Sequence, residues 1–296
     1  MRPSFFIFAS ERSGSTLLSA LLSQHSQMYV LNDTHMFRVY NRLASSPYDW
    51  AAGKILDRAF RNVRTHVWSE RSRLPPASER VDRDTIERYY HRLSAWHKDE
   101  KGNQFDGRLS LIPLMQQVHA EPPTLEDVFA SVLKQLLPAE HSHKECVGEK
   151  TPVHSFLRPW LRRSYPDAAE VVLVRDPVTN VASIYKRHAR SLRAAIDLYL
   201  SYWAMLSPDQ PRGRLIIRYE DLITQPGTVL EQAIDHLGVD AERLPLSFSY
   251  DREHYIGTAI DPSRDEQLRA FLSAEERAEV VDRCGPVVGD LYPGLG

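Results

Sequence analysis

The stretch Ser-Phe-Phe-Ile-Phe-Ala-Ser-Glu-Arg-Ser-Gly-Ser-Thr at 4–16 constrains the fold of this chain more than any other. Phe5 to Ala9 is a short run of aromatic and β-branched residues, the length of one buried strand. Ser10 to Ser15 is polar with a single glycine, as a tight turn requires. From Thr16 onward Leu17, Leu18, Leu21 and Leu22 recur at helical spacing. The order is strand, loop, helix. In such a loop the free N–H groups of the helix start converge, and the helix dipole favours an anion there. Arg12 adds a permanent charge with planar donors, and Ser13, Ser15 and Thr16 add hydroxyls. This is a phosphate cradle. It is not the Gly-x-x-x-x-Gly-Lys-Ser/Thr loop of ATP and GTP enzymes, because Ala9 stands at the first glycine position and Ser15 at the lysine.

The rest of the chain repeats the same alternation. Met28–Leu31, Cys146–Gly148, Glu170–Val174 and Leu215–Ile217 read as further strands. Helices are expected at about 125–137, 154–164, from Pro177 to about Arg190, 192–206, 226–237 and from Ser273, where Glu276 completes a capping box. Asp176 and Pro177 are an N-cap and a first helical residue. Strands alternating with helices imply a mostly parallel sheet with helices on both faces, and ligands beyond the strands' carboxyl ends. Arg12, Asp33, Lys150, Arg175 and Tyr219 all follow expected strands, so one crevice can collect them. Residues 36–97 read as largely helical, Lys98 to Asn103 as a polar loop.

Between Arg38 and Arg92 there are eleven arginines and one lysine against seven acids, with Tyr40, Tyr48, Trp50, Phe60, Trp68, Tyr89, Tyr90 and Trp96 interleaved. Most of these read as solvated helix faces with aromatic core anchors, the remainder as a cap for an acceptor carrying an anionic or aromatic group. The net charge of −2 over 296 residues gives no global attraction to nucleic acid. Two distant cysteines, Cys146 and Cys284, make neither a disulfide scaffold nor a zinc site and fit a reducing compartment. The apolar run after Arg2 is too short for a signal peptide, and no stretch has transmembrane length. The expectation is a cytoplasmic protein that needs no metal and no membrane. Its oligomeric state is not readable.

Ser183 lies seven residues after Asp176, two helical turns, and so points with Arg175 toward the helix start. That makes a second phosphate clamp, apart from the first loop, and suggests a nucleotide with phosphates at both its 5′ and 3′ positions. At this point the chain resembles the sulfotransferases that use 3′-phosphoadenosine 5′-phosphosulfate (PAPS). Phe-Ile-Phe-Ala-Ser-Glu-Arg-Ser-Gly-Ser-Thr-Leu-Leu resembles the 5′-phosphosulfate loop in its arginine-bearing, Golgi and bacterial form. Val-Leu-Val-Arg-Asp-Pro-Val-Thr-Asn-Val-Ala-Ser at 172–183 resembles the 3′-phosphate motif. Glu-Lys-Thr-Pro at 149–152 is similar to a stretch of bacterial members, and Ile-Arg-Tyr-Glu-Asp-Leu at 217–222 to a later strand and its tyrosine.

The resemblance implies a P-loop-like three-layer α/β/α fold. It implies one domain over 1–296, with core at about 1–35 and 145–240, a helical acceptor-binding insertion at about 36–144 and a helical C-terminal segment at about 241–296. It implies that Arg12 holds the bridging side of the phosphosulfate, and that Ser13, Gly14, Ser15, Thr16 and Leu17 line the 5′-phosphate. Arg175 and Ser183 hold the 3′-phosphate, and Tyr219 lies near the adenosine. Asp33, twenty-one residues after the loop arginine, is the implied base, with His35 and His154 as rivals. Lys150 assists departure of the phosphate. The Arg-Lys-Gly run of the cytosolic animal branch is absent, and Arg252, Arg264 and Arg269 are candidate substitutes. The implied activity is sulfuryl transfer to a hydroxyl or amine of a small-molecule or natural-product acceptor. The competing readings are a small-molecule kinase using ATP and magnesium, and a nucleotide-binding protein without turnover.

Overall fold

The computed structural model describes residues 1–44, 74–101, 109–117, 122–187, 191–206, 213–246, 260–261 and 263–293. Its centre is a five-stranded parallel sheet: β1 Phe5–Ala9, β2 Met28–Asn32, β3 Cys146–Lys150, β4 Ala169–Val174 and β5 Arg214–Arg218. The spatial order is β2-β3-β1-β4-β5. The chain therefore leaves β1 toward one side of the sheet and later reaches β4 on the other. The carboxyl end of β1 lies at this reversal, where a parallel sheet opens its crevice.

Helix α1 spans Ser15–Leu22 and α2 Met36–Ala44. Helices α3 Arg83–Lys101, α4 Ile112–Gln117 and α5 Leu125–Leu136 lie between β2 and β3 in sequence, and α6 Arg158–Ser164 precedes β4. Helices α7 Pro177–Arg187 and α8 Leu192–Leu206 join β4 to β5. Helices α9 Tyr219–Thr224, α10 Pro226–Leu237, α11 Ser263–Phe271 and α12 Ala274–Val288 follow β5.

Strand alternation sorts the β1 side chains between two cores. Phe5, Ile7 and Ala9 pack with Leu18, Leu21 and Leu22 of α1 and Leu230 and Ala233 of α10. Phe6 and Phe8 belong to the opposite core, with Phe37, Phe129, Trp160 and Ile184. Every residue of β1 is buried, which is why its sequence is uniformly apolar rather than alternating. The result is the three-layer α/β/α arrangement implied by the sequence.

Several local expectations need correction. Among the described residues the C-terminal stretch holds two helices, not one. Helix α12 has the expected capping box on Ser273 and Glu276. Helix α11 escaped notice because it has no buried residue and hence no apolar period. Its start is instead marked by Asp261, whose Oδ1 accepts from the N–H of Ser263 at 3.0 Å. The stretch read as a loop from Lys98 begins inside α3, which continues to Lys101. Lysine and glutamate are strong helix formers, and polarity alone misled. The helix expected at 154–164 starts as a 3₁₀ turn, Pro152–Leu157, before α6. Tyr40, Tyr89 and Tyr90 are core anchors, while Tyr48, Trp50, Phe60 and Trp68 lie outside the described residues. Asn103, Arg190 and Arg252 also lie outside them.

Candidate active site

The loop after β1 is held from several sides. The Ser13 hydroxyl donates to the Ser10 carbonyl at 2.8 Å, and the Ser10 hydroxyl to Asn180 Oδ1 at 2.5 Å. Asn180 Nδ2 donates to the Glu11 carbonyl at 2.9 Å, and the Tyr202 hydroxyl to Glu11 Oε1 at 3.2 Å. Burial pushes the Tyr202 phenol well up, and the Glu11 carboxylate adds to it, so this tyrosine stays a donor. Gly14 caps α1 with φ 91° and no side-chain cap bond. A Cβ there would lie 2.3 Å from Tyr219 Cδ2. Only glycine satisfies both the left-handed backbone and that contact. The first-turn N–H groups of α1 open toward the crevice without a capping side chain, as an anion site requires.

Arg175, at the end of β4, is buried. Its Nη1 donates to the Arg12 carbonyl at 2.7 Å, its Nη2 pairs with the Asp265 carboxylate, and its guanidinium lies 4.3 Å from the centre of the Tyr219 ring. Its Nε is a buried donor without a hydrogen-bond partner. Arg12 has φ 64°, and its Nε donates to Ser183 Oγ at 3.3 Å. The two clamps, expected to stand apart, are thus joined: Arg12 bonds Ser183 with its side chain and Arg175 with its carbonyl. Tyr219 is buried beneath Arg175 and against Gly14, a place from which it orients both.

Lys150 is 1% exposed, and its ammonium donates to Thr16 Oγ1 at 3.3 Å and to Asp33 Oδ1 at 3.2 Å. One buried lysine thereby ties the helix start of the loop to the carboxylate. The Asp33 N–H donates to the Lys150 carbonyl at 2.7 Å, extending the β2–β3 ladder one residue past Asn32. Asp33 and His35 both have φ 54°. His154 is buried with both ring nitrogens engaged, Nδ1 on Glu149 Oε2 at 2.9 Å and Nε2 on the Arg38 N–H at 3.3 Å. The His35 ring packs against Trp96 at 4.9 Å between centroids. Arg38 and Arg42 lie over the same indole, at 5.1 and 5.8 Å.

Among the arginines nominated for the C-terminal segment, Arg269 reaches the clamp region, with Nη2 3.0 Å from Asp176 Oδ2. Arg264 pairs with Asp261 at 3.8 Å. The sequence reading missed Asp265, Asn180, Glu149 and Glu11. Asn180 was within reach, being four residues from Asp176 and three from Ser183 on the same helix face. Asp265 was not, being ninety residues from its partner with no periodic signal. Among the described residues no group of three or more His, Cys, Asp or Glu side chains could hold a metal.

An uncapped helix start, two arginines and a lysine–carboxylate pair at the reversal of a parallel sheet define a site made for anions. The chain belongs to the Sulfotransferase family, whose profile matches residues 3–243. Among curated proteins it is similar to nodulation protein NoeE of Sinorhizobium fredii (strain NBRC 101917 / NGR234), at 26% identity over 190 residues. That alignment takes in 52% of this chain and 45% of the relative, so the chain spans about half the length of the curated protein that it matches. Two solved structures share its fold. The sulfotransferase domain from the curacin biosynthetic pathway aligns with a TM-score of 0.56 at 17% identity, over 99% of this chain and 98% of that one. The sulfotransferase domain from the Synechococcus PCC 7002 olefin synthase aligns with a TM-score of 0.56 at 21% identity, over 96% and 94%. Among the described residues no helix is long and apolar enough to cross a membrane.

Proposed function

We propose that this chain transfers a sulfuryl group from PAPS to a hydroxyl or amine of a small-molecule acceptor. The observation that carries the reading is Lys150, which joins the anion loop at Thr16 to the Asp33 carboxylate. PAPS, when bound, supplies a sulfuryl group attached to a phosphate that leaves. The residues fit such a donor: α1 starts without a cap, and the buried Arg175 Nε is a donor without a hydrogen-bond partner.

In this reading Ser13, Gly14, Ser15, Thr16 and Leu17 bind the 5′-phosphate through first-turn N–H groups and hydroxyls. Arg12 and Lys150 stabilise negative charge on the leaving side, where fixed cations in a water-poor site act most strongly. Arg175 and Ser183 bind the 3′-phosphate. Asp33, oriented by Lys150, takes the proton of the acceptor. The Arg38–Trp96–Arg42 stack follows Asp33 in the chain and supports an acceptor with an anionic or aromatic part. Two buried free cysteines support a cytoplasmic setting.

Calorimetry without magnesium tests the donor. Adenosine 3′,5′-bisphosphate should bind about ten- to a hundredfold more tightly than AMP, since a charge-assisted hydrogen bond contributes roughly 1.5–3 kcal/mol. Equal affinities, or ATP binding that needs magnesium, would sink the reading. Mass spectrometry of acceptors incubated with labelled PAPS then identifies the product.

A further inference from the structure

We infer that Glu149 is a positioning residue for the transfer: its buried carboxylate holds the loop 33–35 in the one conformation that sets Asp33 beside Lys150. The inference rests on the proposed role of Asp33. Successive residues of a strand point to opposite faces, so Glu149 faces away from its neighbour Lys150. Its side chain is 1% exposed. Three donors converge on it: Thr34 Oγ1 at 2.8 Å, Thr151 Oγ1 at 2.5 Å and His154 Nδ1 at 2.9 Å. Because the Arg38 N–H donates to His154 Nε2, the ring hydrogen sits on Nδ1 and points at Glu149.

The loop that this carboxylate grips is unusual. Asp33 and His35 both adopt the left-handed backbone that L side chains rarely take, on either side of Thr34. Three successive loop residues are fastened to three successive residues of the facing chain. The Asp33 N–H binds the Lys150 carbonyl, the Thr34 hydroxyl binds Glu149, and the His35 N–H binds Thr151 Oγ1 at 3.3 Å. Thr151 Oγ1 is itself oriented by Glu149. Two left-handed residues persist only where the surroundings over-determine them. Glu149 Oε1 accepts from both Thr34 and Thr151. A buried carboxylate is a poor device for stability alone, since apolar replacements are often as stable. Its use here is to fix one loop geometry. The sequence motif Glu-Lys-Thr-Pro thereby gains a role for each polar member: Lys150 faces the transfer site, while Glu149 and Thr151 hold the loop of the base.

Glu149→Gln tests this in the full chain, since an amide cannot accept from all three donors. Without any ligand, hydrogen exchange at the amides of Asp33 and His35 should speed up about tenfold or more, with β1 and β4 unchanged. With PAPS, kcat should fall about 10–100-fold, because a misplacement of about 1 Å costs on that order. The donor KM and the affinity for adenosine 3′,5′-bisphosphate should stay within about twofold. Thr34→Val should give the same pattern and add nothing to Glu149→Gln, while Thr34→Ser keeps the hydroxyl and restores turnover. Unchanged exchange and turnover in Glu149→Gln would overturn the inference. So would a general loss of protection with Thr34→Val fully active, because Glu149 would then be a packing residue. If the parent chain transfers no sulfuryl group, the proposed function fails, and the exchange of Asp33 and His35 still decides whether Glu149 holds the loop.

Discussion

At the scale of single residues, Asp33 is the proposed base, and Lys150 lies 3.2 Å from its carboxylate. Asp33→Asn keeps the shape and removes the basicity. We expect turnover to fall by roughly 10²–10⁴-fold with nucleotide affinity little changed, the usual size of general-base catalysis. The melting temperature measured beside the rate separates this from unfolding, and a near-normal rate would remove Asp33 from the chemistry. His154 is no substitute, because both of its ring nitrogens are already engaged in the core. Glu220 carries a different kind of prediction. Burial pushes its carboxyl above its ordinary value of 4.5, although it accepts from the Asp176 N–H at 2.8 Å and the Tyr292 hydroxyl at 3.0 Å. The folded chain therefore holds more protons at this site than the unfolded chain, and its contribution to stability declines as pH rises through the window above 4.5. Glu220→Gln lacks that decline. Urea midpoints across a pH series should show parent and variant diverging in the variant's favour as pH rises. Parallel curves would mean that Glu220 titrates alike in both states.

At the scale of elements, helix α11 lies against the clamp proposed for the 3′-phosphate. Asp265 and Arg269 are four residues apart and so lie on one face of the helix. They form two reciprocal ion pairs, with Arg175 and Asp176 in turn. The helix has no fully buried residue: Leu268 packs partly buried against the core, and Phe271 lies against Tyr185 at 5.9 Å. Asp265 occupies a donor of the arginine proposed to bind the 3′-phosphate. Apparent affinity falls with the fraction of molecules in the competent state. Asp265→Asn should then bind adenosine 3′,5′-bisphosphate about tenfold more tightly, equivalent to about 1.4 kcal/mol, with AMP unaffected. Calorimetry on the two nucleotides reads this directly. Weaker bisphosphate binding would mean that Asp265 orients Arg175 for the nucleotide instead of competing with it.

At the scale of the whole molecule, the sequence disclosed the layers but not their order. Apolar runs identify which segments are strands, and turn residues identify where they end, so Arg12, Asp33, Lys150 and Arg175 could be assigned to one crevice. Periodicity carries no information about neighbours. Nothing local says that β3, more than a hundred residues after β1, inserts between β1 and β2, and yet this insertion brings Lys150 to Thr16. Glu149 and Asp265 were illegible for the same reason: their roles exist only through distant partners. The junction of β1 and β3 is therefore where packing and function meet, and Gly148 sits at its centre. Gly148 is paired with Phe5, and a Cβ on it would lie 2.3 Å from Phe5 Cζ. Phe5 is fully buried beneath α1, so its ring cannot swing into solvent. Gly148→Ala should push the two strands apart, costing about 1–3 kcal/mol as overpacked cores do. Because β3 carries Lys150 two residues further on, the same shift should draw its ammonium away from Thr16. Turnover should fall more than nucleotide affinity, and the urea midpoint should fall with it. Adding Phe5→Leu to Gly148→Ala returns the lost volume, so the double variant should recover both stability and rate. A Gly148→Ala chain as stable and active as the parent would mean that the β1–β3 register does not depend on this contact.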